Sequence, residues 1–85
     1  MSGVSDQIDH DGPVQVYLQL AGILRARISS GDLPPGRALP ARDRLASDYG
    51  VSRGTVERAV AVLRAEGLVA TTPGRGVFVT TGSGS

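Results

Sequence analysis

The fold of this chain is decided by residues 39–79, which read LPARDRLASDYGVSRGTVERAVAVLRAEGLVATTPGRGVFV. Within this stretch Ala46, Gly50 and Val56 lie four and six residues apart. That spacing is typical of a helix-turn-helix, in which a small residue lies where the helices touch, a glycine turns the chain and an apolar residue anchors the second helix. Such a unit places the start of its second helix in a DNA groove. The stretch therefore predicts two helices joined by a turn, and it indicates DNA as the partner.

Apolar residues recur at helical spacing in three segments of the chain. We therefore predict helices over the three ranges 13–30, 41–49 and 53–66. Gly31 and Gly50 suit the left-handed backbone that follows a helix, and Ser52 suits the N-cap of the third helix. The side chains expected to face the core are Tyr17, Leu20, Ala21, Leu24, Ile28, Leu45, Ala46, Tyr49, Val56, Ala59, Val60 and Leu63.

Two β-rich segments follow the third helix. Residues 68–72 and 77–79 favour strands, and the tetrapeptide PGRG at 73–76 favours a turn between them. They predict a small hairpin of the kind called a wing. Residues 38–39, in a segment rich in proline and glycine, are expected to form one very short strand. The predicted fold class is mainly α with a small β-hairpin (α+β), a winged helix-turn-helix of three helices plus a wing.

Charge is unevenly distributed although the net charge is only +1. Residues 1–12 hold three aspartates and no base, whereas residues 13–85 hold nine arginines against five acids, a balance of +4. A basic folded part suits a nucleic-acid partner. We expect 1–12 to be a disordered acidic tail, 13–79 to be the DNA-binding domain and 80–85 to be a flexible tail or the start of a linker.

Several functions are excluded by composition. The chain has no cysteine, which removes disulfides, thiolate metal sites and cysteine catalysis, and it suits a reducing cytoplasm. No apolar run approaches the roughly 20 residues that span a bilayer, so no membrane partner is expected. His10 and its neighbouring aspartates cannot surround a metal ion, because three adjacent residues cannot build a coordination shell. With no catalytic group in a cleft, neither an enzyme nor a cofactor is expected.

The start of the third helix carries the main candidate DNA contacts. A helix N-terminus attracts anions through its free N–H groups. Arg53 can bind guanine O6 and N7 with two hydrogen bonds, and Thr55 can contact a phosphate or a thymine methyl group. The alternative is an ordinary helix start with solvated side chains, and the helix-turn-helix spacing favours the DNA interpretation. The predicted contact set here is Ser52, Arg53, Gly54, Thr55, Glu57 and Arg58.

The wing tip and the start of the second helix carry further candidates. A lone arginine on a narrow glycine tip suits the electronegative minor groove, with a solvated hairpin turn as the alternative. The predicted wing contacts are Gly74, Arg75 and Gly76. Arg42 and Arg44 flank Asp43 and are predicted to contact phosphates, with local Asp–Arg pairing as the alternative. The remaining helical arginines, Arg25, Arg27 and Arg64, are interpreted as solvated.

The sequence resembles the DNA-binding domain of the GntR family of bacterial transcription regulators over about residues 17–79. The segments that carry the resemblance are Tyr17-Leu18-Gln19-Leu20-Ala21, Gly31…Leu33-Pro34-Pro35-Gly36, Leu39-Pro40, Gly50-Val51-Ser52-Arg53, Glu66-Gly67-Leu68-Val69 and Pro73-Gly74-Arg75-Gly76-Val77-Phe78-Val79. The resemblance implies a domain that binds operator DNA as a dimer, with a separate C-terminal domain sensing a small metabolite. Because no such domain follows Val79, no small-molecule effector is expected within this chain. The resemblance also implies DNA contacts by Arg53, Thr55 and the wing glycine, Gly74 or Gly76.

The chain departs from the family pattern at two contact positions. The family's Ser-Glu-Arg after Leu-Pro reads Ala41-Arg42-Asp43 here, so an aspartate replaces an arginine that commonly contacts DNA. The family's arginine after the third-helix valine is Glu57, which cannot bind phosphate but can accept from cytosine N4. These replacements reduce the set of DNA contacts that the resemblance implies.

The functional prediction is sequence-specific binding of double-stranded DNA by a transcription regulator, as a repressor covering a promoter. The third helix, 53–66, is expected in the major groove and the wing, 73–76, in the adjacent minor groove. The alternative is a winged-helix module that binds a partner protein, which Glu57 and the near-neutral overall charge favour.

Overall fold

The computed structural model describes residues 8–12 and 14–80. Its regular elements, in chain order, are the helices α1 (Val16–Ser30), α2 (Arg42–Tyr49) and α3 (Arg53–Ala65) and the strands β1 (Val69–Thr72) and β2 (Gly76–Val79). The two strands pair in antiparallel fashion. The predicted winged helix-turn-helix of three helices and a hairpin is confirmed. None of the helices in the described part of the chain is long and apolar enough to cross a membrane.

Two helices begin later than the sequence predicts. α1 begins at Val16 rather than at residue 13, which lies outside the described residues, and α2 begins at Arg42 rather than at residue 41. The residues before them, Gln15 and Ala41, have ψ angles of 145° and 153°, so their backbone is extended. Both act as N-caps without a side-chain hydrogen bond.

The end of α3 and the strand bounds also shift slightly. The N–H of Leu68 donates back to the carbonyl of Leu63 at 3.0 Å, which closes the helix after Ala65. Because Leu68 makes this bond, β1 begins at Val69 instead of residue 68. Gly76, which the sequence assigns to the turn, is the first residue of β2.

The predicted acidic tail, 1–12, lies partly outside the described residues, as does most of the predicted flexible segment 80–85. The described part, 8–12, contains a turn held on α1. Gln19 Nε2 donates to the Asp9 carbonyl at 2.8 Å, and Gln19 Oε1 accepts from the Asp9 N–H at 2.7 Å. These hydrogen bonds attach the described part of the predicted tail to α1.

The core lies between α1 and α3 and is closed by α2 and the hairpin. Leu24 and Leu63 are completely buried, and replacing side chains of this kind by alanine typically costs about 2–5 kcal/mol. Tyr49 and Ile28, which the sequence assigns to the core, are half-buried and pack against it. The orientation of α3 against α1 is therefore firmly held. The buried set is Leu20, Ala21, Leu24, Leu33, Leu39, Leu45, Val56, Ala59, Val60, Leu63, Val69 and Val79.

The base of the wing is attached to the loop that precedes α2. The Leu39 N–H donates to the carbonyl of Val77 at 2.8 Å, and Ala38 forms a single antiparallel bridge with Phe78. The short strand predicted at 38–39 is confirmed as this bridge. Since β2 is bonded on both edges, the wing has a fixed position relative to the start of α2.

Candidate nucleic-acid interface

The turn between α2 and α3 sets the position of the candidate recognition helix. Gly50 has a left-handed backbone, with φ 67° and ψ 38°, which glycine adopts without steric cost. The N–H of Val51 donates to the Ala46 carbonyl at 3.0 Å, and Val56 is completely buried. The three residues whose spacing predicts a helix-turn-helix thus form the helix contact, the turn and the anchor.

Ser52 caps α3 and leaves the first N–H groups of the helix open. Its Oγ accepts a hydrogen bond from the Thr55 N–H and donates one to Thr55 Oγ1, both at 3.0 Å. The N–H groups of Arg53 and Gly54 have no partner within the helix, as at any helix start. A Cβ atom at Gly54 would meet nothing closer than Ser52 Oγ at 3.8 Å. The fold therefore does not require glycine at this position, and its bare backbone leaves room for a close partner.

Two ion pairs cross between the exposed starts of α2 and α3. Arg53 Nη1 lies 3.1 Å from Asp43 Oδ1, and Arg42 Nη1 pairs with Glu57 Oε2. Each helix contributes one arginine and one acid, and all four side chains are more than half exposed. Ion pairs in such exposed positions contribute at most about 1 kcal/mol. The two pairs therefore contribute little to the stability of the fold.

Two predicted phosphate contacts, Arg44 and Arg58, are engaged elsewhere on the surface. Arg44 pairs within α2, its Nε lying 3.3 Å from Asp48 Oδ2. The guanidinium carbon of Arg58 lies 4.5 Å from the centre of the Tyr17 ring, a cation–π contact with α1. Tyr17, which the sequence assigns to the core, is only half-buried and lies outside the buried cluster.

The wing tip presents one arginine to solvent. Gly74 and Gly76 have φ angles of 77° and 117°, and the Arg75 N–H donates to the Thr72 carbonyl at 2.9 Å. These bonds and backbone angles make the turn tight. Among the described residues, no carboxylate lies within ion-pair distance of Arg75. Its charge is therefore available to a partner.

A cleft of about 630 Å³ separates the helix-turn-helix from the wing. Arg42, Arg64 and Arg75 contribute to its lining together with Glu57 and apolar side chains. Arg64 also donates a hydrogen bond of 2.9 Å from Nη1 to Thr71 Oγ1 on β1. The sequence assigns Arg64 to a solvated helix face, because helical periodicity does not reveal how close the wing lies. The structure adds Arg64 to the candidate contacts.

The two arginines of α1, Arg25 and Arg27, each form an ion pair with an acidic residue outside that helix. Arg25 Nε and Nη2 donate to the two Glu66 oxygens at 2.8 and 2.7 Å, and these bonds raise the pKa of Arg25 and lower the pKa of Glu66. Arg27 Nε donates to Asp32 Oδ2 at 2.7 Å, which raises the pKa of Arg27. Both arginines are thus held in ion pairs, whereas the sequence interprets them as solvated.

Three helices, a glycine turn before the third and a hairpin wing define the winged helix-turn-helix class. The family described as "Bacterial regulatory proteins, gntR family" matches residues 16–79. The chain therefore belongs to the gntR family of bacterial regulatory proteins, as its resemblance predicts. The members are regulators rather than enzymes.

Individual relatives agree with this assignment. The transcriptional repressor NagR of Bacillus subtilis (strain 168) is 38% identical over 72 residues, which cover 85% of this chain and 30% of NagR. YtrA of Sulfolobus acidocaldarius, a GntR-family transcription factor, superposes with a TM-score of 0.81 at 33% identity, covering 88% of this chain and 79% of that one. The DNA-binding domain of AraR in complex with operator ORE1 gives a TM-score of 0.77 at 26% identity, covering 92% and 95%. The chain thus spans less than a third of NagR's length.

Proposed function

We propose that this chain is the DNA-binding part of a transcriptional repressor and binds a double-stranded operator sequence-specifically. The observation that carries the proposal is the exposed start of α3, where Arg53 and Gly54 face solvent while Val56 anchors the same turn in the core. Membership of the gntR family supports it. So do the repressor NagR and the AraR domain that superposes in its operator complex.

In this proposal the first turn of α3 enters the major groove. Arg53 is 67% exposed and can donate two hydrogen bonds to a guanine edge. Thr55 accepts from Ser52 but keeps its own hydroxyl hydrogen, which can donate to a phosphate oxygen. The bare backbone of Gly54 allows the groove wall to approach the free N–H groups. The proposed α3 contacts are Ser52, Arg53, Gly54, Thr55, Glu57 and Arg58.

The cleft between the helices and the wing suits the DNA backbone. A phosphodiester strand lying there would meet the guanidinium groups of Arg42, Arg64 and Arg75. Phosphate contacts of this kind position a protein on the duplex without reading sequence. With the strand in the cleft, Arg75 and its flanking glycines would enter the minor groove beyond it. Arg44 would contact the backbone beside α2 after leaving Asp48.

We also propose how the whole regulator is organised and how it binds its operator. The domain comprises residues 13–79, and two copies bind the halves of an inverted repeat, since helix-turn-helix proteins match palindromic operators by two-fold symmetry. The domain acts in the cytoplasm, where its DNA lies. Effector binding resides outside this chain, as the resemblance to the family implies.

The test is selection of duplexes from a random DNA pool, followed by fluorescence anisotropy on the enriched duplex. A DNA reader with several phosphate contacts loses affinity steeply between about 50 and 200 mM salt. Enrichment of one sequence with this salt dependence is the expected result. Failure to enrich any duplex would contradict the proposal and favour the alternative, a protein-interaction module.

A further inference from the structure

The crossed ion pairs at the starts of α2 and α3 have no evident role in stability. Asp43 accepts from Arg53 at 3.1 Å, and Glu57 pairs with Arg42. Exposed pairs contribute little to folding, because water already solvates both charges. Yet the two acids lie where the proposed operator would bring a dense array of phosphates. Two negative charges at a DNA-facing surface repel phosphates, so their position there calls for a second function.

The geometry of Arg53 indicates what Asp43 does. A guanidinium carries several N–H donors in a rigid planar fork, and Asp43 engages only Nη1. The remaining donors stay free for the two acceptors of a guanine edge. A planar group held at one corner has fewer orientations to lose on binding. The same bond restrains Arg53 from turning to a phosphate.

We propose that Asp43 is a specificity-determining positioning residue, which orients Arg53 for a base edge and withholds its charge from phosphates. Glu57 likewise restrains Arg42, so that Arg42 contacts a phosphate that lies in the cleft and its charge is withheld from phosphates elsewhere. This inference rests on the proposed function, and it assigns the two acids a role within it.

Asp43 affects the free energies of the non-specific complex and the operator complex differently. Non-specific binding comes almost entirely from arginine–phosphate contacts. To make such a contact Arg53 must leave Asp43, and the freed carboxylate then faces the phosphates. In the operator complex Arg53 keeps Asp43 as a partner while it binds guanine. The two acids therefore weaken the non-specific complex more than the operator complex. Specificity is increased in this way, because competing DNA sites are disfavoured.

The test compares Asp43→Asn with the unchanged 85-residue chain on two duplexes. One is the duplex enriched from the random pool, and the other is a scrambled duplex of the same composition. We expect Asp43→Asn to bind the scrambled duplex several-fold more tightly while its affinity for the enriched duplex changes little, so that the ratio of the two affinities falls several-fold. Asp43→Glu, which keeps the carboxylate, should restore most of the ratio of the two affinities. Glu57→Gln should raise affinity for the scrambled duplex as well.

Glu66→Gln is the matched control for charge. It removes the same negative charge at the far end of α3, about 20 Å from the helix start, where Glu66 pairs with Arg25. It should leave the ratio of affinities unchanged. Repeating the pool selection with Asp43→Asn should relax the preference at the base pair that Arg53 reads and at no other. A loss of folding alone cannot produce that single-position change.

The outcomes separate the inference from the function on which it rests. If the unchanged chain enriches no duplex, the proposed function fails. If the unchanged chain enriches an operator but Asp43→Asn and Glu57→Gln keep its ratio of affinities for the enriched and the scrambled duplex, the inference is overturned and the function stands. An equal loss of ratio in Glu66→Gln would also overturn it, because net charge would then be the cause. Circular dichroism confirms that each variant is folded. If Asp43→Asn does not fold, the affinity ratios of the single variants Asp43→Glu and Glu57→Gln test the inference instead.

Discussion

Arg64 of α3 donates a hydrogen bond of 2.9 Å to Thr71 of β1, so the candidate recognition helix and the wing are joined by their side chains. The same guanidinium contributes to the lining of the cleft between them, together with Arg42 and Arg75. Arg64 is therefore placed both to hold the wing and to meet a DNA phosphate. These two roles can be separated by experiment.

Arg64→Gln should weaken binding to the enriched duplex and reduce the slope of log affinity against log salt by about 1, the value for one lost phosphate contact. Thr71→Val removes the hydrogen bond but keeps the arginine and its charge. If Arg64 contacts phosphate, this control retains the salt slope. A salt slope that does not change in Arg64→Gln would instead make Arg64 a purely structural residue. Both slopes come from anisotropy titrations at several salt concentrations.

Arg53→Ala should cost about 1–3 kcal/mol of binding free energy and relax the preference at one base pair. The side chain is 67% exposed, so the thermal unfolding temperature should change little. Competition titrations with duplexes substituted at single positions measure the lost preference. Intact specificity in this variant would contradict the assignment of α3 as the reading helix.

The elements of the fold are predictable because their signals are local. Ser52 marks the start of α3 through its own side-chain oxygen, and Gly50 marks the turn through its left-handed backbone. The helix and strand bounds that differ from the prediction depend on contacts with residues elsewhere in the chain. Leu68 illustrates this, because its N–H bonds back to Leu63 and so delays β1 by one residue.

The side-chain partners of the candidate site are not predictable in the same way. Arg53 and Asp43 lie ten residues apart on different helices, and no periodicity indicates that they meet. The same holds for Arg58 and Tyr17, whose contact depends on how α1 packs against α3. Sequence patterns therefore indicate which residues have suitable chemistry, whereas the packing of the helices decides which of them are already paired.

Gly54→Ala should separate stability from binding. Glycine within a helix is less favourable than alanine by about 0.5–1 kcal/mol, and the structure has room for the extra methyl group. Unfolding by urea should therefore show equal or greater stability. Binding to the enriched duplex should weaken, because the methyl group lies where the groove would approach the helix start. Unchanged affinity would mean that DNA does not come close to Gly54.

Arg75→Ala should weaken binding to the enriched duplex without unfolding the domain, since Arg75 is exposed at the wing tip and pairs with no carboxylate of the described residues. Arg37→Ala is a matched control, because it removes the same charge from an exposed residue at the base of the hairpin. Only the first change should reduce affinity strongly. A large fall in the unfolding temperature of Arg75→Ala would show that the side chain is structural instead.

The pair of Arg25 and Glu66 predicts a pH-dependent contribution to stability. Hydrogen bonds from Arg25 lower the pKa of Glu66 in the folded state. A carboxyl group with a lowered folded pKa stabilises the fold above its unfolded pKa, and this contribution is lost as pH falls through the folded pKa. Glu66→Gln should therefore lower the unfolding temperature slightly at about pH 7, where Glu66 is ionised, and have less effect at an acid pH below the folded pKa of Glu66, where protonation removes the contribution. Arg25→Gln should produce the same loss at neutral pH, and combining the two changes should add little, since both remove one interaction. Additive losses in the double variant, or an equal effect of Glu66→Gln at both pH values, would show that the two side chains do not stabilise the fold as a pair.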